Sequence, residues 1–136
     1  ENSIRVNHDD GSYSMMDKDG IMRYDSGTGR KYHHLTKIIK FVCGGDGQAP
    51  ATRWIPIGSE FNGLDWEASL SISDSLQASS NEATIHRIVL TQTPGENPRY
   101  RNGQWEMPVM GYTTYYNLET DSRRYGDVAG IMIVTA

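Results

Sequence analysis

The side chains able to do covalent or metal chemistry are few, and their spacing argues against most of it. Cys43, the single cysteine, could serve as a thiolate nucleophile if His33, His34 or His86 took its proton. It ends an apolar run at residues 35–43, however, and burial raises a thiol pKa and makes it inert. We expect it as a small core residue. His8, His33 and His34 invite a zinc or copper site, since clustered imidazoles bind both ions. Adjacent residues on a strand point to opposite faces, so His33 and His34 cannot share one ion there. Surface or half-buried histidines are the expectation, with no metal. Asp17-Lys18-Asp19-Gly20 opens like a calcium loop but lacks the later oxygen ligands and the closing Glu. It reads instead as a hairpin turn, because Asp-Gly is a preferred turn pair. No G-x-S-x-G, Walker loop, H-E-x-x-H or dinucleotide-binding glycine motif occurs. No catalytic residue and no cofactor is assigned.

Flat aromatic side chains offer a different chemistry. Trp54, Trp66 and Trp105, with Tyr100, Tyr112, Tyr115 and Tyr116, could present platforms to a sugar ring or a protein partner. Trp66 alternates with Ala68, Leu70 and Ile72 and is expected in the core. Trp54, after a glycine-rich stretch, and Trp105, after a tight turn, are the ligand-contacting candidates.

Strands must position these residues. Helical periodicity is hard to find, whereas two-residue alternation recurs between turn signals. Ile4 and Val6 alternate with Arg5 and Asn7 before Asp10-Gly11, and residues 21–24 lie between Asp19-Gly20 and Gly27-Thr28-Gly29. Residues 35–43 place Leu35, Ile39, Phe41 and Cys43 on one side. Gly44-Gly45-Asp46-Gly47 marks a loop, as does the polar stretch 77–82. Residues 65–73 alternate most cleanly, with a short helix at 73–77 as the alternative ending. Residues 83–91 carry Ile85, Ile88, Val89 and Leu90, which suggests burial on both faces and a central strand. Asn102-Gly103 is the strongest hairpin signal in the chain. The strand after it, residues 105–118, contains Pro108 and Gly111, which suits an edge, a bulge or a switch between sheets. Residues 125–136 end the chain as an apolar strand with no later strand to cover it. Seven or eight strands without internal repeat favour a two-sheet sandwich over a propeller or solenoid.

Size and charge bound the rest. A chain of 136 residues is of modal single-domain size. Thirteen basic against 17 acidic residues give a formal charge of −4, so the electropositive surface that grips nucleic acid is missing. The longest apolar runs are far short of a membrane-spanning helix. A first residue of Glu1 fits export after removal of a signal peptide, and a lone cysteine excludes an internal disulfide.

Two segments of the C-terminal third resemble a subunit of chaperone–usher fimbriae. Met107-Pro108-Val109-Met110-Gly111-Tyr112-Thr113-Thr114-Tyr115-Tyr116 resembles the penultimate strand of that family, where a Pro-hydrophobic start leads into alternating aromatics. Tyr125-Gly126-Asp127-Val128-Ala129-Gly130-Ile131-Met132-Ile133-Val134-Thr135 is similar to its closing strand, and Asn2-Ser3-Ile4-Arg5-Val6-Asn7 to its N-terminal extension. The resemblance implies an all-β, immunoglobulin-like two-sheet sandwich that lacks its last strand and is completed by a donor strand from the next subunit. Residues 1–10 would be the donor-strand-like extension and 11–136 the single sandwich domain. Ile4 and Val6 would be donor side chains, and Val128, Ile131, Met132, Ile133 and Val134 would line or back the acceptor groove. Implied partners are neighbouring fimbrial subunits, a periplasmic chaperone, an outer-membrane usher, and a host glycan or protein receptor. The implied place is the cell-surface fimbria, reached by secretion through the periplasm. The other readings are a self-contained carbohydrate-binding sandwich resting on Trp54 and Trp105, and a viral or phage structural β-sandwich. An enzyme comes last.

Overall fold

Short turns lay out the first quarter of the molecule as an antiparallel meander. The computed structural model describes residues 2–44, 49–76, 83–118 and 121–136. β1 (Ile4–Asn7), β2 (Tyr13–Asp17), β3 (Gly20–Asp25) and β4 (Arg30–Tyr32) follow one another in a four-stranded sheet. The Asp-Gly signal becomes the β2–β3 turn: Asp17 pairs with Gly20, and the Asp17 carboxylate accepts the Asp19 N–H at 2.8 Å. Gly20 has φ 120°, a value that a side chain would resist. At the other end of the sheet the buried Ser12 hydroxyl accepts the Ser26 N–H at 3.0 Å and ties two loops together.

The remaining strands are β5 (Thr36–Cys43), β6 (Arg53–Pro56), β7 (Glu67–Leu76), β8 (Ala83–Gln92), β9 (Arg99–Arg101), β10 (Gln104–Asn117) and β11 (Ser122–Thr135). A single 3-10 turn, Ser59–Phe61, lies between β6 and β7. β10 and β11 organise the whole. β10 is flanked first by β6 and β9, then by β8 and the start of β11. β11 leaves β10 after Gly126 and runs between β5 and β7, with Val128 opposite both Cys43 and Ser75. Layers β5–β11–β7 and β6–β10–β8 therefore face each other, an antiparallel sandwich-like arrangement joined through the bent strand β11. Phe41, Ile57, Phe61, Val109, Val128 and Met132 are among the buried core residues between them.

Several local expectations change. Among the described residues eleven strands form instead of seven or eight, the additions being β2 and β4 in the N-terminal sheet and β6 beside β10. β7 continues as a strand through Leu76, so no helix replaces its end. Among the described residues β8 pairs only with β10 and is an edge, with Ile85 and Ile88 44% and 39% exposed. A bulge at His86 pairs Tyr115 with Ile85 and Thr113 with Ile88, so two isoleucines three apart share one face. β10 is the converse case, a central strand despite Pro108. The Pro108 carbonyl accepts the Thr93 N–H at 3.1 Å, so the absent N–H faces the same side, in the gap between the last β9 pair at Glu106 and the first β8 pair at Val109. The loops expected at 45–47 and 77–82 lie outside the described residues.

Few contacts hold the N-terminal sheet to the sandwich. The Arg30 guanidinium binds the Glu67 carboxylate at 2.5 Å and the Asp65 carbonyl at 3.1 Å. An ion pair this exposed contributes at most about 1 kcal/mol. Leu35 and Ala136 exchange backbone hydrogen bonds at 3.2 and 3.0 Å where the connecting segment enters β5.

Candidate functional site

The reactive side chains are not brought together. Cys43 is 4% exposed at the end of β5, and burial pushes its thiol up, with Arg53 opposing and Asp127 adding to the shift. His8 contacts Ser14 at 3.3 Å, His33 and His34 occupy the link between β4 and β5, and His86 lies at the β8 bulge. Among the described residues no group of three or more His, Cys, Asp or Glu is placed to hold a metal ion. The Lys37 ammonium, 2.6 Å from Glu60, holds that carboxyl below the usual glutamate range. This is a surface clamp over the 3-10 turn. Among the described residues no helix is long and apolar enough to cross a membrane.

Ile4 and Val6 lie on an exposed strand whose inner edge is already hydrogen-bonded to β2. The register puts Ile4 opposite Met16 and Met16 opposite Ile21, while Val6 lies opposite Ser14. Directly opposed residues share a face, so Ile4, Val6, Met16 and Ile21 form one apolar surface across three strands. These four are 61%, 54%, 48% and 54% exposed. The other face carries Tyr13 stacked on Tyr24 at 5.2 Å, with Arg5 over the Tyr13 ring at 3.7 Å. Met16 and Ile21 were missed in the sequence. The two-residue turn at Lys18-Asp19 is the signal that fixes their pairing.

At the C-terminus the structure closes what the resemblance leaves open. Val128, Met132 and Val134 are fully buried on the inner face, while Ile131 and Ile133 are half-buried on the outer face beside Lys40 and Ile38 of β5. β5 and β7 pair along both edges of residues 128–135. No acceptor groove runs beside this strand, because two earlier strands occupy it. Its outer face has exposed Ile38 and Val42, but Lys40 separates them, a charge that discourages edge association.

The two ligand candidates fare differently. The Arg99 guanidinium lies over the Trp54 ring at 3.9 Å, so that platform is already occupied. Trp105 is half-buried, edge-on to Tyr100 at 5.7 Å and 6.3 Å from Trp66. Asn102 and Gly103 adopt φ 54° and 78° in the tight turn between β9 and β10, which sets Trp105 opposite Tyr100. Trp66, expected wholly inside, is half-buried and shares an open groove with Trp105. Comparison with protein-family models, curated proteins and solved structures gave no match.

Proposed function

We propose that the chain is a non-catalytic structural subunit of an extracellular fibre and joins its neighbours through the N-terminal sheet. One observation carries this reading: the uncovered apolar surface of Ile4, Val6, Met16 and Ile21, on a sheet barely attached to the sandwich. Exposed apolar patches of this kind mark association surfaces. The outer edge of β1, which among the described residues pairs only with β2, adds a row of backbone donors and acceptors that a neighbouring strand can complete.

In the fimbrial form of this reading the sandwich is immunoglobulin-like, and a periplasmic chaperone and an outer-membrane usher deliver the chain. Donor-strand exchange requires an open groove, and residues 128–135 are paired on both edges. Addition of a strand at the β1 edge takes its place in the present proposal.

Sedimentation velocity between about 1 and 100 μM tests this. The chain is expected to form larger species as concentration rises. An Ile4→Lys/Ile21→Lys double variant should stay monomeric with an unchanged thermal transition, since both positions are more than half exposed. A wild-type chain that stays monomeric throughout, or a double variant that assembles like it, contradicts the proposal.

A further inference from the structure

Two open grooves share Trp66 and Glu67 in their linings. One, of about 520 Å³, runs past Gln92 and Pro98 to Trp105, and the other, of about 440 Å³, runs past Asp65 to Thr28 and Arg30. We infer that together they form a binding track for a neutral oligosaccharide of all-equatorial pyranose rings. No residue of the track lies on the apolar N-terminal face, so this inference stands apart from the fibre reading.

The floor of the track is aromatic. The Trp66 and Trp105 rings are 6.3 Å apart and tilted by 55°, and both indoles pack on the core while still lining the groove. An all-equatorial pyranose presents axial C–H groups on both faces. It can therefore lie by either face on either of two rings that are tilted to each other, whereas an axial hydroxyl leaves only one face for stacking. Burying such a face against an indole draws on the same apolar contact that makes aromatic side chains dominant in interfaces.

Its walls supply hydrogen-bonding groups at the ring edge. Gln92 lines the groove, and its side-chain amide donates to the Glu96 carbonyl at 2.8 Å. Glu67, with a side chain 71% exposed, uses one oxygen for Arg30. A carboxylate and an amide are planar groups suited to pairs of vicinal hydroxyls. Charge narrows the class: the carboxylates of Asp65 and Glu67 outnumber the single guanidinium of Arg30, so a sialylated or sulfated chain would meet net repulsion.

The full chain is titrated with cellotetraose, with N,N′,N″,N‴-tetraacetylchitotetraose and with a heparin-derived tetrasaccharide, following tryptophan fluorescence and indole N–H resonances. At least one neutral probe is expected to give saturable changes with a dissociation constant of about 0.1–10 mM. Trp105→Ala should weaken it by about tenfold or more. If that variant does not fold, Gln92→Ala, which removes no core side chain, is expected to weaken binding severalfold with an unaltered thermal transition. Absence of saturable change with both neutral probes overturns the inference. So does preference for the heparin fragment, or binding that the folded variants leave unchanged.

Discussion

Phe61→Ala is expected to lower the unfolding free energy by about 3–5 kcal/mol, because it empties a site that cannot collapse. Phe61 is fully buried at the end of the 3-10 turn, next to the fully buried Ile57. The backbone around it is pinned. Phe61 N–H donates to the Gly58 carbonyl at 3.4 Å, Asn62 N–H to Ser59 at 3.1 Å, and Leu64 N–H to the Phe61 carbonyl at 3.2 Å. Ile57 N–H donates to the Trp105 carbonyl at 3.0 Å, and Lys37 Nζ to the Ile57 carbonyl at 3.0 Å. Relaxation into the cavity would break several of these bonds, so the cost should fall at the upper end. Against a total of about 5–15 kcal/mol, such a loss lowers the midpoint by roughly 10 °C or more. Chemical and thermal denaturation measure it, and a loss below about 1 kcal/mol would show that the turn is not a plug in the core.

Gly111→Val should cost about 3 kcal/mol through lack of space. A Cβ at Gly111 would lie 2.6 Å from Val128 Cγ1, 2.9 Å from Leu90 Cδ1 and 3.1 Å from Cys43 Cβ. Gly130 faces the same crowding from Phe41 and Leu90. Neither glycine has positive φ, so backbone conformation plays no part. These contacts exist only because β10 and β11 bring the two layers together here. Val128→Ala in the same molecule should recover part of the loss, as expected for residues that touch. Gly103→Ala serves as the contrast: φ is 78° and nothing lies within 4 Å, so it should cost only about 1–2 kcal/mol of backbone strain. Equal losses at positions 103 and 111 would contradict the close approach of the layers.

Local chemistry made much of this fold readable. Asp19-Gly20, at the end of the Lys18-Asp19 turn, and Asn102-Gly103 each mark a two-residue turn, and the alternation that starts at Trp66 continues through Ala68 and Leu70 of β7. Alternation fails where a bulge shifts the register. At His86 it puts Ile85 and Ile88 on one face, and a similar shift at Ser73 lies next to Ile72, which is 48% exposed. Chain order misleads about neighbours as well. An apolar last strand with nothing after it looks uncovered, yet β5 and β7, which precede it, close both its edges. For the association surface, Ile4 and Val6 were legible as an alternating pair, while Met16 and Ile21 join them only through the β1–β2–β3 register. For the oligosaccharide track, Trp105 was legible from its turn. The part of Trp66 could not be read from alternation, which gives a side chain's direction but not the height of the wall beside it.

Completion from within separates assembly at the N-terminal sheet from exchange of a missing strand. In a strand paired on both edges every amide is hydrogen-bonded, alternately to one neighbour and the other, whereas an open groove leaves every second amide free. Residue-resolved hydrogen exchange on dilute monomer and on concentrated assembled protein reads this directly. The predicted result is slow exchange at all of residues 128–135 in the monomer, unchanged on assembly, with new protection confined to the amides of residues 4–7. Fast exchange at alternate positions between 128 and 135 in the monomer, slowing when subunits join, would contradict it and restore the borrowed strand.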